Sequence, residues 1–126
     1  MKLRHLFAIN FCTAVFFGLA CSLFPRGVFQ LYGAAFDDAA IWSARLVGGS
    51  ILGFATLMWY GVKTVSVEAR RAIALALLVQ DGIGFIASME IQLSGSVNAL
   101  GWTNPILYVL LALAYAFFVF VRPKDG

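Results

Sequence analysis

The chain has 126 residues, of which 62% are hydrophobic and 12% are charged. Soluble domains carry roughly 45–50% apolar and about 25% charged residues, so the composition excludes an ordinary soluble domain and indicates a membrane protein. The formal net charge of +3 does not indicate a nucleic-acid partner. The basic residues flank apolar segments and form no basic stripe with interleaved aromatic residues.

Four apolar segments predict an all-α integral membrane protein. They cover about residues 6–24, 39–62, 67–93 and 102–121. Each is long enough to cross a bilayer, which takes ~20 helical residues, and too continuous for barrel strands of ~10 residues with alternating polarity. Short connections make consecutive helices antiparallel neighbours. We therefore expect a single transmembrane domain, residues 1–126, that folds as an antiparallel four-helix bundle.

The first segment resembles a lipoprotein signal in one respect. It contains Gly18-Leu19-Ala20-Cys21, but such cleavage boxes usually place Leu three residues before the Cys, where this chain has Gly18. The apolar run also continues beyond Cys21. We predict an uncleaved first helix and leave lipidation of Cys21 open.

The connection after the first segment carries aromatic residues at helical spacing. Phe29, Tyr32 and Phe36 are three and four residues apart, which favours a short helix at the membrane surface. Asp37 and Asp38 follow, and acidic groups stabilise a helix N-terminus. The second membrane helix is therefore expected to begin at these two residues.

The positions of Lys and Arg predict the orientation in the membrane. Seven of the nine belong to one side: Lys2, Arg4, Lys63, Arg70, Arg71, Arg122 and Lys124. Only Arg26 and Arg45 belong to the other side. Cytoplasmic loops are enriched in Lys and Arg, so we expect a multi-pass protein of the bacterial inner (plasma) membrane with both termini in the cytoplasm.

Glycines in the second and third segments predict close helix packing. They are Gly48, Gly49, Gly53, Gly82 and Gly84. Gly49 and Gly53 form a GxxxG pair, which lets another helix approach closely. Packing of the second helix on the third and a homodimer face both agree with this pattern.

Asp81 lies near the middle of the third apolar segment, where an ionisable group is costly and often functional. Asp81, Gly84, Ser88 and Gln92 share one face of this helix, and Gln80 borders it. A membrane helix directs such a polar stripe away from lipid. We expect it to face the interior of the bundle or a partner protein.

Two roles for Asp81 stay open. Arg45 and Glu90 lie at similar depth on neighbouring helices and are expected to form an ion pair, which leaves Asp81 without a cation and protonated. The alternative is that each side chain extends separately to the outer membrane surface. A neutral Asp81 bonded to Ser50, Tyr108 or a backbone carbonyl would be a structural peg. An Asp81 that gains and loses a proton would be a relay or coupling site.

The chain has no constellation for catalysis or metal binding. His5 is the single His, and Cys12 and Cys21 form no CxxC motif. No paired carboxylates, Ser-His-Asp or Cys-His arrangement is evident, and a metal site lacks ligands. We therefore predict no enzyme activity, no metal and no cofactor.

Four features are similar to those of a broad class of small uncharacterised four-helix bacterial inner-membrane proteins. They are Ser43-Ala-Arg-Leu-Val-Gly-Gly in the second segment, Arg70-Arg71 opening the third, Ser94-Gly95 after it and Leu100-Gly-Trp-Thr-Asn-Pro opening the fourth. The resemblance covers most of the chain. It implies the architecture and no activity.

Three functional hypotheses follow. The first is a non-enzymatic accessory or scaffold subunit that packs against a larger membrane complex or against a second copy of itself. The second is a small transporter or proton-linked carrier, with Asp81 central and the path lined by Gln80, Ser88, Arg45 and Glu90. The third is a membrane enzyme that binds a lipid or a quinone.

Overall fold

The computed structural model describes residues 2–121, and this part of the chain is helical without strands. The helices are α1 (Leu3–Leu23), α2 (Pro25–Leu31), α3 (Asp38–Lys63), α4 (Val67–Leu93) and α5 (Thr103–Ala116). A 3₁₀ turn (Ala99–Trp102) precedes α5 and a π-helical turn (Phe117–Val121) extends it. Four spans are long and apolar enough to cross a membrane, as the sequence predicts. Arg122 and Lys124 lie outside the described residues.

Local sequence explains where the helices begin. The side chain of Asp37 accepts a hydrogen bond from the backbone N–H of Ala40 at 2.8 Å, and Ser66 accepts one from Ala69 at 3.2 Å. Each thereby satisfies a backbone donor that the first turn leaves unpaired. Pro25 takes the first position of α2, where its missing N–H costs nothing. The short helix expected after the first span is α2, and it ends before Phe36.

The long helices associate in two pairs. Helix α1 packs along α3 and α4 packs along α5, whereas contacts between the two pairs are sparse. At the first crossing, a Cβ added at Gly48 would lie 2.7 Å from the backbone nitrogen of Ser22 and 2.8 Å from the carbonyl oxygen of Gly18. At the second, one added at Gly84 would overlap the ring of Tyr108. Only small residues permit these approaches.

The expectation that the glycines join the second helix to the third is therefore wrong. Gly48 contacts α1 and Gly84 contacts α5. A Cβ at Gly49, Gly53 or Gly82 would meet no atom within 4 Å outside its own helix segment and immediate neighbours. Because these three glycines face outward, the described chain leaves the GxxxG pair without a packing partner.

The two pairs meet at one end of the molecule, here called the basic end because it holds Lys2, Arg4, Lys63, Arg70 and Arg71. A hydrophobic cluster, the basic-end core, joins all four spans there. Its members are Leu3, Leu6, Phe7, Ala14, Ala55, Met58, Ile73, Ala74, Leu77, Tyr115, Phe118 and Val119. Apart from Ala14, at the middle of α1, each lies in the half of its span nearer the basic end.

The opposite end, here called the cap end, is held by hydrogen bonds. Asn98 donates from its backbone N–H to the carbonyl oxygen of Tyr32 at 2.8 Å and from its side chain to that of Leu31 at 2.9 Å. The hydroxyl of Tyr32 donates to Asn104 at 3.2 Å. These bonds fix the end of α2 to the segment that leads into α5.

Candidate functional site: a cavity above a buried carboxyl

A cavity of about 960 Å³ lies between the two helix pairs. It extends from the cap end, where residues 28–29, 32–35 and 96–97 form part of its wall, to Asn10 and Met58 at the upper edge of the basic-end core. Most of the wall is apolar. Polar side chains in it are Asn10, Thr13, Cys21, Tyr32, Ser43, Gln80, Asp81, Ser88, Ser96, Asn104 and Tyr108.

Asp81 lies at the floor of this cavity. Its side chain lines the cavity, yet only 3% of the residue is exposed. Leu77, one helical turn away on α4, is completely buried in the basic-end core. Asp81 therefore lies at the boundary between the packed and the hollow halves of the molecule, close to the middle of its membrane span.

One carboxyl oxygen of Asp81 has no partner. Its Oδ2 is shielded from solvent and takes part in no hydrogen bond within residues 2–121. Ser50, one of the expected partners, is exposed and donates to the carbonyl oxygen of Leu46 at 3.0 Å instead. Leaving a buried polar atom unpaired costs about 1–3 kcal/mol, so the site is poised to gain from a ligand that supplies a donor.

A hydrogen bond joins α1 and α5 at the basic-end edge of the cavity. The side-chain amide of Asn10 on α1 donates to the hydroxyl oxygen of Tyr115 on α5 at 2.8 Å. Tyr115 is completely buried and its ring lies 5.9 Å from that of Phe7. Neither Asn10 nor Tyr115 belongs to the polar stripe on α4. Because the two residues are 105 positions apart, no periodic pattern in the sequence predicts their hydrogen bond.

The predicted stripe on α4 does face the interior, but its members have different roles. Gln80, Asp81 and Ser88 line the cavity. The Ser88 hydroxyl donates to the carbonyl oxygen of Gly84 at 2.6 Å. Gln92 donates to the carbonyl oxygen of Asn98 at 3.2 Å and thereby supports the cap end.

Arg45 and Glu90 lie away from this site. Both side chains are exposed, neither lines the cavity, and the described residues contain no ion pair between them. The expected pair is therefore not formed, and a path through the cavity does not include these two residues.

The cavity wall contains one acidic side chain, that of Asp81, and no basic side chain (Lys, Arg or His) from residues 2–121. Aromatic rings contribute to the wall from several elements: Phe17, Phe29, Tyr32, Phe54 and Tyr108. Among residues 2–121, no three His, Cys, Asp or Glu side chains are grouped closely enough to hold a metal ion.

No protein-family model, curated protein or solved structure matches the chain.

Proposed function

We propose that the protein is a small-molecule carrier of the bacterial inner membrane, and that its ligand binds in the cavity above Asp81. Its four spans form an antiparallel bundle with both termini in the cytoplasm. The observation that supports this most directly is the combination of a large, mainly apolar cavity with a buried carboxyl oxygen that has no partner at its floor.

The charges of the two ends support this orientation. The basic end contains Lys2, Arg4, Lys63, Arg70 and Arg71, whereas the cap-end segments contain Arg26 and the nearby Arg45. Positive residues favour the cytoplasmic side. The basic-end core then closes the cytoplasmic half, and the cavity lies in the outer half of the membrane.

The size and the wall of the cavity suit a small organic ligand. Ligand pockets typically have volumes of about 300–1,000 Å³, with mainly apolar walls and a few placed polar groups, and this cavity has about 960 Å³. Asp81 supplies the polar anchor. Intramembrane ionisable residues that face a cavity commonly mark substrate or proton pathways.

The pairing of the helices supports a carrier cycle. The α1–α3 and α4–α5 pairs pack tightly within themselves and contact each other sparsely outside the basic-end core. Alternating access in many transporters is a rocking of one such unit against another around a site near the membrane midplane. Asp81 lies at this depth between the two units.

Filling the cavity tests the proposal. Ala44 lines the cavity, whereas Ala39, on the same helix, is exposed and does not. Native mass spectrometry of the purified wild-type protein is expected to show a bound molecule of a few hundred daltons, the mass that such a volume accommodates. Ala44→Trp should remove this adduct and Ala39→Trp should retain it. An adduct that survives in both variants, or is missing from the wild type, contradicts the proposal.

A scaffold role is the second candidate, and the outward face of α3 favours it. Gly49 and Gly53 meet no atom of another helix, and small residues at this spacing allow a second membrane helix to approach. Gly53→Leu should then abolish co-purification of a membrane partner or of a second copy. A protein that remains monomeric and alone in mild detergent contradicts this role.

A further inference from the structure

We propose that the ligand is a lipophilic molecule with one positive charge, and that this charge pairs with Asp81. This inference rests on the proposed binding function and specifies the substrate class. The charge of the ligand is inferred from the lining residues, which place one acid at the floor of the cavity and include no basic side chain from residues 2–121.

The charge balance of the cavity favours a cation. The titratable groups in its wall are Cys21 on α1, Tyr32 after α2, Asp81 on α4 and Tyr108 on α5. A carboxylate as deeply buried as that of Asp81, which is 3% exposed, needs a counter-charge or a proton. A neutral ligand supplies no counter-charge and an anionic ligand would be repelled, whereas a cation meets this need directly.

The aromatic wall favours the same ligand. Phe17, Phe29 and Phe54 lie on α1, α2 and α3, and Tyr32 and Tyr108 complete the set. The faces of aromatic rings attract cations. Aromatic rings also pack against an apolar ligand body. The rings and the carboxyl therefore recognise the two parts of an organic cation, its body and its charge.

The ion pair implies an exchange for one proton. Without the ligand a proton neutralises the Asp81 carboxyl, because no Lys, Arg or His from residues 2–121 lines the cavity. When the cation binds, the O–H bond breaks and the proton passes to water, and the carboxylate and the cation remain as a neutral pair. No other bond changes. Each bound cation therefore releases one proton.

Three probes with the same aromatic body test the charge selectivity of the full-length protein in detergent. They are naphthalen-2-ylmethylamine, which is cationic at neutral pH, the neutral naphthalen-2-ylmethanol and the anionic naphthalene-2-carboxylate. Calorimetry is expected to show the amine binding about 30-fold or more tightly than the alcohol, the scale of a buried charge pair. The carboxylate should bind most weakly.

Two matched acid-to-amide substitutions on α4 locate the charge. Asp81→Asn should bring the affinity for the amine down to that for the alcohol. Glu90→Gln removes a carboxylate from the exposed side of the same helix and should preserve the preference. A preference for the amine that survives Asp81→Asn would overturn the assignment to this residue.

Proton release provides a readout in the unmodified protein. Binding of the amine in weakly buffered solution should release one proton per site, and binding of the alcohol should release none. If the amine and the alcohol bind equally and no proton is released, the ligand class is wrong while the binding function stands. If none of the three probes binds, both proposals fail.

Discussion

The two halves of this molecule differ in how they are filled. In the half near the basic end, side chains from all four spans form a continuous core. In the half near the cap end, the same helices line a half-open cavity of about 960 Å³. Leu77 and Asp81 show the change within one turn of α4: the first is completely buried in the core, and the second has an unpartnered oxygen at the cavity floor.

We expect this difference to separate stability from ligand binding along the axes of the helices. The basic-end core holds the two helix pairs together, because it contains side chains from all four spans. Such dense packing is sensitive to any change of side-chain volume. Binding regions belong to the less stable parts of a protein, which can open locally. The cap end is instead fixed by a few hydrogen bonds around Asn98, which leaves the space above Asp81 available to a ligand.

The largest expected effect comes from truncating the same side chain in each half. Leu77→Ala should lower the free energy of unfolding by about 2–5 kcal/mol, because the removed atoms leave a cavity in a packed core. Leu107→Ala changes a side chain that already borders the cavity and should cost less than the lower end of that range. Unfolding in mixed micelles, followed by circular dichroism, measures both. Equal losses would show that the two halves are packed alike.

Adjacent glycines sharpen the comparison at the α1–α3 crossing. Gly48→Ala should cost about 1–3 kcal/mol, because the new Cβ would press on the backbone of Ser22 and Gly18. Gly49→Ala meets no neighbour and should leave stability equal or raise it by up to about 1 kcal/mol, because Ala favours a helix interior over Gly. The same unfolding assay decides the point, and a reversed order would refute the packing described for α3.

Removal of a hydroxyl group in each half should have the smallest effect. Tyr115→Phe leaves the buried amide of Asn10 without its acceptor and should cost roughly 1–2 kcal/mol. Tyr32→Phe breaks a bond to the partly buried Asn104, where water replaces the partner, and should cost at most about 1 kcal/mol. Thermal unfolding of the two variants provides the measurement. A larger loss at Tyr32 would place the more important polar contact at the cap end.

Much of the helical pattern could be predicted because it depends on local sequence. Apolar length alone predicts four membrane spans, and the chemistry of Asp37 and Ser66 places the starts of α3 and α4. The inward direction of Asp81 follows from its cost in lipid. Each of these inferences uses residues close together in the chain.

The remaining features depend on which helices meet, and periodicity does not contain that information. Gly48 and Gly49 are neighbours with the same composition around them, yet only Gly48 contacts α1. Equal depth suggested a pair between Arg45 and Glu90, but depth does not determine which way a side chain points around the helix. The cavity arises from the sparse contact between the two helix pairs, a property of the assembled chain.

The central claim is that the cap-end half contains an accessible cavity above Asp81. The two native cysteines test it, since Cys21 lines the cavity and Cys12 is exposed on α1 outside it. Thiol reagents attack the thiolate, which forms in water and not in lipid. An impermeant methanethiosulfonate reagent added to intact cells should label the Cys12→Ser protein at Cys21 and leave Cys12 of the Cys21→Ser protein unmodified. Labelling of both residues at equal rates, or no labelling of Cys21, would contradict the claim.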